Sequence, residues 1–175
     1  MNKKGISVWL ISVFLGTTVA FYSCERDEQY PIEPVIEYLD FVKFGTDSAS
    51  FRITFTDGDG DVGLAPEDTF YPYNTASKYY HNIFLKYEFL DTSGSYFPYY
   101  IYEYDTLGNK IDSSELSFNY RIPVIPKLGA INSLNGEIHV KMFAPYAIHP
   151  TYRYKCYIVD RALNESNEIT SPDLN

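Results

Sequence analysis

Apolar side chains recur at every second position in several short runs. Phe51, Ile53 and Phe55 alternate with Arg52 and Thr54. Ile83, Leu85, Tyr87 and Phe89 stand in phase, as do Leu116, Phe118, Tyr120 and Ile122, and then Ile138, Val140 and Met142. Successive side chains of a strand point to opposite faces, so these runs predict half-buried β-strands. The chain also holds 18 tyrosines, a residue that favours strands. The expected strands cover residues 35–43, 50–56, 82–90, 96–104, 116–123, 137–143, 152–160 and 168–170. Turn residues separate them: Asp91-Thr92-Ser93-Gly94, Leu107-Gly108-Asn109 and the hairpin signal Asn135-Gly136. Pro98 marks an edge or a bulge. Seven or eight short strands at this spacing predict an all-β domain of sandwich type.

The N-terminus has a different character. Lys3 and Lys4 precede an apolar run over residues 6–20, and Ser23-Cys24 follows. A positive start, a short apolar stretch and a small residue form the pattern of an export signal. The run is shorter than the about 20 apolar residues of a comfortable membrane span. Cleavage after Ser23 would make Cys24 the lipid-bearing first residue; the alternative is an uncleaved anchor. The expected organisation is a signal over 1–23, a tether over 24–34 carrying Pro31 and Pro34, and a domain over 35–175.

Loss of residues 1–23 removes two lysines and no carboxylate, leaving 152 residues with 12 basic and 23 acidic side chains, a net charge of −11. That length is one ordinary domain. Nucleic-acid binding is not expected, since phosphate contacts need clusters of Lys and Arg. With Cys24 lipidated, Cys156 has no disulfide partner and reads as a small buried hydrophobe.

The sharpest motif is Asp57-Gly58-Asp59-Gly60-Asp61-Val62-Gly63-Leu64. Carboxylates at i, i+2 and i+4 converge when glycines let the backbone curl. Ca²⁺ takes six to eight oxygens, and three close carboxylates without a cation repel one another. The match to an EF-hand loop is partial. Asp57, Asp59 and Asp61 fall at positions 1, 3 and 5, but Val62 holds the glycine position and Asp68 the place of the bidentate Glu. The two readings are a structural Ca²⁺ site at a strand end and a solvated Asp-Gly turn. The long connection over 57–82 suits a functional or metal-organised segment.

The run Tyr157-Ile158-Val159-Asp160-Arg161-Ala162-Leu163-Asn164-Glu165-Ser166-Asn167 resembles the closing hairpin of bacterial immunoglobulin-like and fibronectin type III-like modules. Leu163 stands where such turns carry Gly, and Asn164 is expected to take the left-handed conformation instead. With the Asp-Gly loop, the signal and the acidic run Glu25-Arg26-Asp27-Glu28, the chain resembles a group of Bacteroidetes outer-membrane lipoproteins over most of residues 24–175. Phe21-Tyr22-Ser23 departs from the usual Leu-small-Gly/Ala order before the cysteine, and looseness there is a habit of that group. The resemblance implies an immunoglobulin-like β-sandwich in the cell envelope, and no activity. The acidic run looks like a signal for the outer face of the outer membrane; the alternatives are a solvated tether and a periplasm-facing anchor. Asp160, Asn164 and Asn167 could join the Asp57 loop as ligands at one pole of such a sandwich.

Ten tyrosines lie between Phe70 and Tyr104. The pairs Tyr79-Tyr80 and Tyr99-Tyr100 must each split between two strand faces, so some are expected to be exposed as a protein interface or a platform for sugar rings. Asp47-Ser48-Ala49 and Asp105-Thr106-Leu107 fit the Bacteroidetes O-glycosylation pattern at Ser48 and Thr106. No catalytic motif is present: His81, His139 and His149 lack metal-ligand spacing, and there is no nucleophile elbow, phosphate loop or dinucleotide fingerprint. The expected function is therefore a non-catalytic, surface-exposed lipoprotein that serves an envelope protein complex as an interaction subunit. The alternative is a glycan-binding module of polysaccharide uptake.

Overall fold

The alternating runs pair into antiparallel strands. The computed structural model describes residues 30–127, 132–143 and 147–175. The export signal over 1–23, Cys24 and the acidic run 25–28 lie outside the described residues. In chain order the strands are β1 (Val35–Lys43), β2 (Ser48–Asp57), β3 (Ile83–Leu90), β4 (Tyr96–Pro98), β5 (Tyr100–Tyr104), β6 (Lys110–Glu115), β7 (Ser117–Tyr120), β8 (Leu134–Phe143), β9 (Tyr152–Ile158) and β10 (Ile169–Thr170). One 3₁₀ turn, Lys78–Tyr80, is the sole helical segment among the described residues.

One sheet has the order β1-β2-β8. A second runs β10-β9-β3, with β4 and β7 sharing the far edge of β3. The apolar faces of the two sheets meet in an aromatic core. Phe41 of β1 stacks on Tyr154 of β9 at 5.8 Å between ring centroids, and Phe51 of β2 meets Tyr154 edge-on at 5.9 Å. Within the second sheet Tyr87 stacks on Tyr152 at 5.5 Å. Phe51, Tyr87, Tyr152 and Tyr154 are fully buried. Such offset and edge-on pairs each add about 0.5–1.5 kcal/mol beyond area burial. Cys156, in phase with Tyr152 and Tyr154 on β9, is also fully buried, and burial pushes its thiol pKa up.

Three features differ from the sequence expectation. The run over 96–104 is not one strand. β4 pairs with the Leu90 end of β3 and β7 with the Ile83 end, so the two lie along one edge of β3. Between them the chain leaves the sheet: Leu116 N–H donates to Tyr99 O at 2.7 Å and Tyr87 N–H to Leu116 O at 3.1 Å, closing the base of an excursion. That excursion is the β5–β6 hairpin, whose strands pair only with each other. The short segments β4 to β7 raise the count to ten described strands. Finally, Asn135 and Gly136 make no turn; they lie inside β8 opposite Thr56 and Phe55. Their partner strand is β2, distant in sequence, so the dipeptide sits in a ladder rather than a hairpin.

A buried tyrosine needs a partner for its hydroxyl. Tyr87 Oη accepts from the backbone N–H of His149 at 3.0 Å and of Ile148 at 3.3 Å, and so ties residues 148–149 to the core. Tyr87→Phe leaves both amides without that acceptor at unchanged core volume. It should cost ~1–2 kcal/mol, read as a lower urea midpoint at constant slope. An unshifted midpoint would show that these amides do not depend on Tyr87.

Candidate metal centre

The inward row of β2 reads Phe51, Ile53, Phe55 and then Asp57, and Asp57 is as fully buried as the residues before it. Period-2 alternation therefore carries a carboxylate to the end of the core. There the chain turns sharply. Gly58 N–H donates to Pro31 O at 2.7 Å, and a Cβ on Gly58 would stand 2.3 Å from Tyr30 O. Gly60 is left-handed at φ +65°, and a Cβ there would stand 1.9 Å from Asn132 O. Only glycine fits at either place. The loop is thus wedged between the entering chain at Tyr30-Pro31 and the backbone before β8. It rejoins the domain where Leu64 N–H donates to Ile122 O at 2.8 Å.

Inside this loop the three carboxylates converge. One oxygen from each of Asp57, Asp59 and Asp61 lies within 4.8 Å of the other two. Oδ1 of each is buried and has no hydrogen-bond partner. The remaining contacts orient the group: Val62 N–H donates to Asp57 Oδ2 at 2.9 Å, and the backbone amides of Arg161 and Ala162 stand near enough to Asp61 to favour its charged form. Burial raises the Asp57 pKa to about 6, against the Val62 N–H and with the charges of Asp59 and Asp61 adding to the rise. Asp61 is raised too, first by burial and then by the charges of Asp160 and Asp59. A cleft of about 340 Å³, lined by Asp61, Val62, Ile125, Lys127 and Arg161, opens beside the loop. Lys127 Nζ donates to the backbone oxygen of Asp59 at 2.7 Å.

Asp160 reaches the same pole and stands close enough to Asp61 to raise its pKa, yet it lies outside the group of three. Its oxygens accept from Asn164 N–H at 2.7 Å and Asn164 Nδ2 at 2.8 Å, which commits the side chain to its own turn. Asn167 is committed as well. Its Oδ1 accepts from Ile36 N–H and its Nδ2 donates to Ile36 O, stapling the turn to β1. The left-handed residue of this turn is Leu163 itself, at φ 71°, and not Asn164. Asp68, at the EF-hand end position, caps Ala65 N–H at 2.7 Å and pairs with Arg161 at 2.5 Å.

The other candidate residues scatter. Tyr79 and Tyr80 belong to the 3₁₀ turn near the acidic pole, Tyr79 under Lys78 and Tyr80 against His81 and Arg121. Tyr99 packs inward on Tyr87, Phe89 and His149. Among these four tyrosines Tyr100 alone counts as exposed, and it lies on the β5–β6 hairpin. The two pairs lie in separate parts of the fold. Ser48 begins β2 and donates to Phe44 O, whereas Thr106 is exposed in the hairpin turn.

Arg121 was not legible from the sequence. Its guanidinium donates to Tyr80 O at 2.7 Å, Ala65 O at 3.0 Å, Asp68 O at 3.3 Å and Tyr73 O at 3.5 Å. One side chain thus gathers the long connection after the acidic loop. No spacing rule reveals this, because backbone carbonyls carry no sequence signature.

Two outcomes follow. Arg121→Lys should behave like Arg121→Ala, since a point charge cannot span a fan of carbonyls. Both should speed proteolytic cleavage within residues 65–80, and protection by Lys would disprove the fan. For Asp57, the folded pKa lies above the unfolded one. Its ionisation therefore costs the cation-free fold nothing below about pH 4 and the full amount above about pH 6. Asp57→Asn should stabilise the EDTA-treated protein at pH 7.5 by on the order of 2–3 kcal/mol. The gain should vanish by pH 4 in thermal melts.

Comparison with known proteins finds no matching family model, no matching curated protein and no matching solved structure, so the pole must be read from its own chemistry.

Proposed function

We propose that this chain is a non-catalytic lipoprotein of the outer membrane, held by lipid on Cys24 and facing the cell exterior, that serves as an interaction subunit of an envelope protein complex. Its domain is read as an immunoglobulin-like sandwich with a calcium-stiffened pole where the tether enters. The β5–β6 hairpin carries this reading. Tyr100, Ile101, Tyr102, Tyr104, Leu107 and Ile111 are all exposed on it. A two-stranded hairpin has little stability of its own in water. Exposed apolar side chains on both faces of such an arm are what a surface that meets another protein carries. The turn at its tip is well made: Asp105 Oδ1 accepts from Leu107 N–H and Asn109 N–H, each at 2.8 Å, so the arm is a shaped element.

A second reading, glycan binding, is favoured by one observation. Tyr100 and Tyr102 lie two apart on β5 and so share a face, with Lys110 over the Tyr102 ring at 4.1 Å. Ile101 on the other face and Leu107 at the tip have no use for a sugar, which weighs toward a protein partner.

A photo-crosslinker at position 107 in native cells should capture one envelope protein, and Ile101→Asp should abolish that adduct without lowering the melting temperature. If no adduct forms, and Tyr102→Ala instead removes retention on surface polysaccharide, the glycan reading replaces the subunit reading.

A further inference from the structure

We propose that Asp57, Asp59 and Asp61 hold one calcium-class divalent cation whose occupancy clamps the chain entering at Tyr30-Pro31 onto the end of β2. This rests on the reading of the pole as a calcium site and adds what the ion does there. An acidic cluster alone would not suffice. The second observation is Asp57 itself, which has no exposed surface: Val62 N–H holds its Oδ2, and its buried Oδ1 is left without a donor beside the other two carboxylates. A buried charged oxygen without a donor is costly, and none of the ion pairs among the described residues involves Asp57, Asp59 or Asp61. Of the two cations on the rim, Lys127 donates to the Asp59 backbone oxygen and Arg161 pairs with Asp68.

The spacing admits one shared cation. Ca²⁺ accepts a flexible shell of six to eight oxygens at about 2.3–2.6 Å, whereas Mg²⁺ demands near-ideal octahedral geometry at about 2.0–2.1 Å, which an irregular loop of carboxylates suits less well. The three carboxylate oxygens lie within 4.8 Å of one another. Water reaching the pole through the cleft beside Asp61 would complete the shell.

The clamp follows from what the loop touches. Gly58 carries the hydrogen bond to Pro31 O and packs directly on the carbonyls of Tyr30 and Pro31. Asn135 Nδ2 donates to Tyr30 Oη at 3.1 Å, so the same chain also meets β8. Gly58 lies between two of the proposed ligands. Without the cation, three carboxylates repel at the point that grips the entering chain. With it, Gly58 is held and residues 30–31 are docked. The ion would thereby fix how the sandwich, and the arm on it, is carried relative to the anchor.

The test uses the lipidated mature chain in detergent after EDTA treatment. Calorimetric titration with CaCl₂ should show one site per chain, with a dissociation constant on the order of 10⁻⁴ M as in extracellular modules. MgCl₂ should bind at least tenfold more weakly. Asp59→Asn should abolish binding; if that variant fails to fold by circular dichroism, Asp61→Asn takes its place with the same outcomes. Hydrogen exchange supplies the separate readout: Ca²⁺ should slow exchange in the peptide containing the Gly58 amide tenfold or more, and protect residues 32–37. No Ca²⁺ binding, binding that survives both carboxylate variants, or equal affinity for Mg²⁺ overturns the calcium site. Binding without altered exchange at Gly58 and 32–37 leaves the site standing and overturns the clamp.

Discussion

Along β2 every second side chain points between the two sheets, and the row Phe51, Ile53, Phe55 ends in Asp57. The first three seat the β1-β2-β8 sheet on the tyrosines of β3 and β9. The fourth obeys the same pleat and carries a carboxylate to the end of the core. β2 is also the central strand of its sheet, pairing with β1 along one side and β8 along the other. A one-residue slip would turn the whole row outward. The aromatic contact between the sheets and the acidic pole are therefore consequences of one register.

At that pole, backbone groups do much of the work that side chains do elsewhere. The carbonyls of Tyr30, Pro31 and Asn132 set the space in which Gly58 and Gly60 must fit. The carbonyls of the long connection converge on Arg121, and the amide of Val62 orients Asp57. Asp160 and Asn167 hold the closing turn to itself and to β1, and so leave the cluster to three aspartates. The pole joins the entering chain, the end of β2, the β7–β8 connection and the turn after β9. A change at any one of them reaches the others through packed backbone.

The β5–β6 arm obeys a different rule. It leaves the sheet where β4 and β7 meet along the edge of β3, and its base is closed by Tyr99 and Leu116. Because the interrupted edge strand still pairs with β3 on both sides of the gap, the arm can vary without disturbing the core. Its exposed tyrosines and isoleucines contribute nothing to the contact between the sheets. Side chains placed there are separated physically from those that hold the fold.

Much was legible beforehand. Alternation placed β1, β3 and β9 within a residue or two of their observed bounds, because the pleat is a local property that each run displays in its own letters. The spacing of Asp57, Asp59 and Asp61 announced a convergent loop for the same reason. The same local reading misplaced Asn135-Gly136, whose ladder partner is far away in the chain, and Asn164, whose neighbour Leu163 took the left-handed position. It grouped Tyr79, Tyr80, Tyr99 and Tyr100, which the fold sends to a 3₁₀ turn, the core and the arm. The sequence by itself determined which residues could face a core and which carboxylates could meet. Only the tertiary structure decided that Asp57 is sealed from water, that Asp160 stays outside the group and that Arg121 gathers the long connection, because each depends on backbone brought close from remote parts of the chain.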